Sequence, residues 1–269
     1  MQILSYNTQD FPIIKVLGAS IIQIKNVRSK PKIEIIYKKG IWNDNLENIV
    51  KMNLTRLISK RFGFVYNLMK DFLIYIYFYA HDHDEITCLV FKDHKQHALS
   101  FSRLEQISSL IYELLLKNND LEKLISFFNE SVIIPKIRGI LALFVIKDSG
   151  HELFSKISKK LGSLSKYNIQ FSGFIAALLT IAREMFGNKP GIELKKIDFG
   201  EYEFHIKNIN KVIFAVLVKK NKIDKLYPEY FNQIVKEFIV KYERDIENFK
   251  GDISKFLEFR NVVNDFFII

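Results

Sequence analysis

Four of the six histidines fall in two short polar runs, His81-Asp82-His83-Asp84-Glu85 and His94-Lys95-Gln96-His97, with the one cysteine, Cys88, between them. Imidazole, thiolate and carboxylate are the ligand types that hold zinc or another transition metal. The elements around them argue against a shared site. The first run reads as a hairpin turn and the second as the beginning of a helix, with a strand between. At about 3.3 Å per strand residue the two runs stand roughly 20 Å apart. Cys88 lies inside that strand, where a thiol is packing rather than a reactive group. The expectation is polar turn residues, for His81 and His83 included, and no metal.

Nucleophilic catalysis needs a serine or cysteine beside a base that a carboxylate orients. The chain has no Gly-x-Ser-x-Gly elbow, no Gly-x-x-x-x-Gly-Lys-[Ser/Thr] phosphate loop and no Gly-x-Gly-x-x-Gly. Ser149-Gly150 reads as a β-turn. Tyr75, Tyr77 and Tyr79 alternate along a strand and could stack bases, but such platforms interleave basic residues, and this strand carries no Lys or Arg. A covered sheet face is expected instead. No catalytic, cofactor-binding or metal residue is assigned, no cofactor is expected, and the chain reads as a non-enzyme.

Composition sets the wider bounds. Glycine (11) and proline (5) are scarce in 269 residues, so regular structure with few linkers is expected. The apolar run 139–146 is too short to span a bilayer, which needs about 20 residues. No basic start followed by an apolar run appears at Met1, so a soluble, cytoplasmic protein is expected, and a lone cysteine suits a reducing compartment. The net charge of +10 divides as +3 up to Glu130 and +7 beyond it. Acids are interspersed throughout, which reads as a solvated lysine-rich surface.

The elements that would position any site occur in one order, twice. In the first half, β-rich runs at 19–26 and 33–39 flank a Ser29-Lys30-Pro31 turn. A helix over 46–58 opens on an Asp44/Glu47 capping box and stops before Gly63. A weak strand at 64–68, a strong one at 72–80 and a third at 86–91 follow, then helices with stripes over 104–115 and 121–129. Phe72, Ile74, Ile76 and Phe78 fall on one face of the strong strand and the tyrosines on the other, so it is expected to be central, with helices on both sides. In the second half, strands at 137–147 and 152–157 flank Asp148-Ser149-Gly150. A broad-faced helix over 171–186 ends at Gly187 and Pro190. Strands at 192–199, 202–207 and 211–219 come next, with short hairpin links at 200–201 and 208–210. Pro228 opens a helix, and a final helix is expected over 253–267. The fold class is therefore α+β. Two domains, 1–132 and 133–269, are expected, each a mainly antiparallel five-stranded sheet.

This order resembles the longin fold and its roadblock relatives, which place one helix on one face of a five-stranded sheet and two on the other. The second half carries the likeness best. Gly139-Ile-Leu-Ala-Leu-Phe-Val-Ile-Lys-Asp-Ser-Gly-His-Glu-Leu-Phe154 is similar to the family's opening hairpin, with 171–186 as its first helix and 211–219 as its fifth strand. The first half matches in order alone and reads as a degenerate copy. The resemblance implies tandem longin-like domains packed together in a non-enzymatic scaffold. Its partner would be a small Ras-like GTPase or another longin- or roadblock-type protein in a vesicle-trafficking-like complex. It also implies a homo- or heterodimer and peripheral membrane contact. Such domains are abundant in archaea rich in eukaryote-like proteins, which the Ile/Lys/Asn-rich composition suits. An arginine supplied in trans could aid hydrolysis by such a GTPase, but the sequence singles none out. The competing reading is a basic adaptor on a membrane surface or nucleic acid.

Overall fold

The computed structural model describes residues 13–42, 45–69, 71–81, 84–95, 101–118, 121–162, 168–186 and 194–269. The chain divides into two compact units, Met1–Pro135 and Lys136–Ile269. Each contains an antiparallel five-stranded sheet and three of the six helices among the described residues.

In the first unit, β1 (Ile14–Lys15) leads into β2 (Gly18–Lys25) and β3 (Lys32–Gly40). Helix α1 (Leu46–Ile58) follows, then β4 (Phe62–Met69), β5 (Phe72–Ala80) and β6 (Glu85–His94). Helices α2 (Phe101–Asn118) and α3 (Leu121–Ser131) and the short β7 (Val132–Ile133) complete it. The sheet order is β3-β2-β6-β5-β4. Strand periodicity sorts the side chains into two layers. Ile22, Ile24, Ile74, Ile76, Cys88 and Val90 pack against Ile49, Val50 and Leu57 of α1. On the opposite face, Ile21, Tyr75, Leu89 and Phe91 pack against Leu104, Ile107 and Ile111 of α2 and Phe128 of α3. One helix thus covers one face and two cover the other. The tyrosine face is covered as expected, with Tyr75 and Tyr79 buried.

The second unit repeats this plan. Strands β8 (Ile140–Lys147) and β9 (Glu152–Ile157) precede α4 (Asn168–Phe186). Strands β10 (Lys196–Phe199), β11 (Tyr202–Ile209) and β12 (Val212–Lys219) precede α5 (Tyr227–Glu247) and α6 (Phe259–Phe266). The order is β10-β11-β12-β8-β9. Numbering each unit's five sheet strands in sequence, both sheets read 2-1-5-4-3. Ile175 and Leu179 of α4 cover Phe144, Phe204, Ile213 and Ala215. On the other face, Phe238 of α5 meets Phe214 edge-on, and Phe259 of α6 meets Phe154 in the same way.

Several boundaries differ from the sequence-based expectation. The cap of α1 is Asn45, whose side chain accepts from the Asn48 N–H at 3.2 Å; Asp44, like Gly187 and Pro190, lies outside the described residues. Gly63 sits inside β4 rather than at a helix stop. Strand β6 runs on to His94, which is a strand residue and not the opening of a helix. Ile137 is not part of β8; it bridges to Phe267 instead. The expected last helix is split into a 3-10 turn, Ser254–Phe256, and α6.

Among the described residues, each unit is closed by pairing between its first and last segments. Strand β1 pairs in parallel with β7, Ile14 opposite Val132. In the second unit Ile137 donates to the Phe266 carbonyl and accepts from the Ile268 N–H, both at 2.9 Å. The first closure depends on Gly40, which leaves β3 at φ +87° so that the Ile41 N–H reaches the Leu17 carbonyl at 2.7 Å. A Cβ there would lie 2.3 Å from that carbonyl oxygen and 2.8 Å from Ile134 Cδ1. Two residues on, the sole tryptophan, Trp42, is buried, with its indole N–H donating to the Lys39 carbonyl at 3.0 Å.

Candidate functional site

The histidine cluster does not assemble. The β5–β6 register pairs Ala80 with Ile86 at one end and Phe72 with His94 at the other. His81, which donates its N–H to the Glu85 carbonyl, therefore stands roughly 30 Å from His94 along β6. The His81 Nε2 lies 2.7 Å from Thr87 Oγ1, and the ring meets Tyr79 edge-on. The His94 ring meets Phe72 in the same way. His83 and His97 lie outside the described residues. Cys88 is wholly buried on the α1 face, and burial pushes its thiol far above its ordinary pKa. Among the described residues, no three His, Cys, Asp or Glu side chains come together as metal ligands. Ser149 lies in the turn between β8 and β9, with its hydroxyl 3.0 Å from His151 Nδ1.

Side chains that the sequence reading did not single out do assemble. Alternation along β11 places Glu203 and His205 on one face, with Glu203 Oε1 2.5 Å from His205 Nε2. That hydrogen bond holds the Glu203 carboxyl below its ordinary pKa. The His205 ring meets Tyr227, at the start of α5, edge-on at 5.1 Å. Burial first, and the Glu203 charge second, push the Tyr227 phenol well above its usual value. The group ties the sheet to the start of α5. Its signal in the sequence is a carboxylate and an imidazole two residues apart in a strand.

A cavity of about 240 Å³ opens between α2 and the tyrosine face of the first sheet. Strand register builds its floor. Phe62, Tyr79 and Thr87 form one cross-strand row, and Tyr77 pairs with Leu89 in the next. Its roof is α2, where Ser108, Ser109 and Tyr112 face the gap. The Tyr79 and Tyr112 rings meet edge-on at 4.4 Å. Burial, with Tyr112 beside it, raises the pKa of Tyr79, and burial likewise raises that of Tyr77. Ser108 is buried, and its hydroxyl has no hydrogen-bond partner.

The same face continues onto β4, the edge strand. Phe62, Phe64, Tyr66 and Leu68 point the same way and are 70%, 52%, 60% and 66% exposed. Phe64 stacks on Tyr77, and Tyr66 tilts against Tyr75. An edge strand also offers outward N–H and C=O groups for pairing. An aromatic row on such an edge is the kind of surface that binds partners.

No family model matches this chain, and no curated protein matches it. Among the described residues, no helix is long and apolar enough to cross a membrane.

Proposed function

We propose that both units are longin-like domains and that the protein is a non-enzymatic scaffold. Its partner is a small Ras-like GTPase or another longin- or roadblock-type protein. The observation that carries this reading is the 2-1-5-4-3 strand order in both units, each with a helix after its second strand and two after its fifth. The exposed aromatic row of β4 supports a contact surface on the first unit. The scaffold acts by complementarity: binding one nucleotide state of the GTPase more tightly shifts the population towards it, with no chemistry or cofactor of its own.

The test is affinity capture from the source cell with mass spectrometry, followed by binding to the recovered GTPase loaded with GDP or a GTP analogue. A preference for one nucleotide state of about tenfold or more is expected, and the Phe64→Glu/Tyr66→Glu double variant should lose it. Recovery of neither a Ras-like GTPase nor a longin- or roadblock-type protein overturns the proposal. So does binding that ignores the nucleotide and falls about 10³-fold or more between 50 and 200 mM salt, as phosphate-driven binding does.

A further inference from the structure

We propose that the cleft where α1 gives way to β4, rimmed by Arg28, Lys60 and Arg61, binds a molecule that carries a phosphate monoester.

Three segments of the first unit converge there. The Val27 N–H donates to the Asp84 carbonyl at 3.3 Å, and the Ala80 N–H donates to the Arg61 carbonyl at 2.8 Å. These bonds bring together the β2–β3 turn, which holds Arg28, the α1–β4 link, which holds Lys60 and Arg61, and the turn between β5 and β6. The cleft they enclose has a volume of about 360 Å³, and small-molecule sites begin at about 300 Å³.

Charge selects the ligand. No carboxylate lines the cleft among the described residues. Asp84 lies beside it and accepts from the Arg28 N–H at 3.4 Å, so three cations stand against one acid. Strand alternation puts Glu85 on the opposite face from Ile86, where its carboxylate accepts from Gln23. Among the described residues, Lys60 and Arg61 pair with no carboxylate. Arg61 also acts on the Tyr79 phenol, a group that is neutral at ordinary pH.

A helix end attracts cations by itself, because its last carbonyls carry partial negative charge. That role falls to Arg56, which lies in the last turn of α1 and does not line this cleft. Lys60 and Arg61 lie past the helix, and Arg28 comes from another segment. The neutral polar groups of the lining are already engaged. Ser59 Oγ donates to the Arg56 carbonyl at 2.8 Å, and His81 Nε2 lies 2.7 Å from Thr87 Oγ1. The three cations are therefore what meets a ligand. A carboxylate offers them one charge and two oxygens. A phosphate monoester offers a charge of about −1.5 to −2 and three strong acceptor oxygens. Val27, Ala80 and Ile86 line the same cleft and belong to the apolar layer beneath α1, so the phosphate sits on a partly apolar body.

This site is independent of the scaffold reading, because the aromatic row of β4 lies on the opposite face of the sheet from Val65 and α1. Isothermal titration calorimetry on the full chain tests it, with phenyl phosphate as the probe and phenyl sulfate and phenol as controls. Phenyl phosphate should bind about tenfold or more tightly than phenyl sulfate, which has the same ring and a single charge, and phenol should not bind. Lys60→Gln/Arg61→Gln should weaken phenyl phosphate about tenfold or more, the loss of at least one charged hydrogen bond. Lys222→Gln/Lys225→Gln removes the same net charge from exposed positions of the second unit and should leave affinity within about twofold. Trp42 emission and far-ultraviolet circular dichroism check that both variants fold. Failure of phenyl phosphate to bind the wild type overturns the proposal, as does phenyl sulfate binding as tightly. Equal weakening by the two double variants overturns it too, since net charge alone would then explain binding. If Lys60→Gln/Arg61→Gln does not fold, the preference for phosphate over sulfate in the wild type decides. Phosphatidylcholine vesicles with and without phosphatidic acid separate two sources of the group. Vesicle binding that phenyl phosphate displaces supports the site and makes its ligand a lipid headgroup. Phenyl phosphate binding without vesicle binding supports it and makes the ligand a free ester. Vesicle binding that phenyl phosphate does not displace overturns the assignment.

Discussion

Replacing Gly40 by alanine should remove a large part of the first unit's stability and leave the second unit intact. The position combines two costs. At φ +87° an L-residue enters left-handed backbone, which costs about 1–2 kcal/mol. The new methyl would also stand 2.3 Å from the Leu17 carbonyl oxygen and 2.9 Å from Gly18 Cα, both backbone atoms that cannot swing aside. Forcing extra volume into a packed site costs about 1–3 kcal/mol, so the sum is about 2–5 kcal/mol against a typical domain stability of about 5–15 kcal/mol. Trp42 is the only tryptophan and is buried within the first unit, so its emission reports that unit alone. With a urea dependence of about 2 kcal/mol per molar, the Trp42 transition should move down by about 1–2.5 M. The far-ultraviolet signal from the second unit should keep its midpoint. A Trp42 midpoint within about 0.3 M of wild type would refute both the left-handed turn and the close approach of Leu17.

Two further outcomes follow from buried groups. Cys88 should resist maleimide in the native state and react fully in denaturant, since the thiolate is the nucleophile and burial disfavours it; rapid native labelling would show that β6 is not central. The Tyr227 phenol keeps its proton in the folded state above pH 10, where the unfolded chain loses it, so stability is full below about pH 10 and declines above it. Tyr227→Phe should lessen that alkaline decline and, because the buried hydroxyl has no partner, leave neutral stability unchanged or raise it by up to about 1–3 kcal/mol. Parallel alkaline melting curves for the two proteins would contradict this.

The sequence disclosed elements where the two faces of a strand or helix differ, and failed where they do not. In β5 the aliphatic and tyrosine positions alternate, and both its central place and its two-sided cover were readable. In β4 the outward residues Phe62, Phe64, Tyr66 and Leu68 are themselves apolar, so the contrast that marks an amphipathic strand is lost and the edge looked weak. Strand β6 was cut short at Phe91 because the polar run at His94 read as the beginning of a helix, yet Lys92 and Asp93 are buried in the strand. The expected helix over 253–267 failed because Phe256 and Phe259 both pack on Phe238 across a 3-10 turn, and a helical stripe tolerates that spacing too. The cavity was not legible. It depends on the register of three strands and on two serines that only tertiary structure places opposite Tyr79. Glu203 and His205 were not singled out in the sequence, because a carboxylate and an imidazole two residues apart in a strand gain meaning only beside Tyr227.

The closures at Ile14–Val132 and Ile137–Phe267 bear on how the protein is made. A chain synthesised from its amino end can complete the first unit as soon as Val132 emerges, while the second is still being added. The second must wait for Phe267, and until β12 is made its first strands, β8 and β9, can pair only with each other. Strand β8, which is nearly all apolar, lies centrally between β12 and β9 in the finished sheet. Until β12 arrives it is an uncovered edge with no charge between Ile140 and Ile146. Slow translation across residues 158–211 would therefore expose the second unit to aggregation and spare the first.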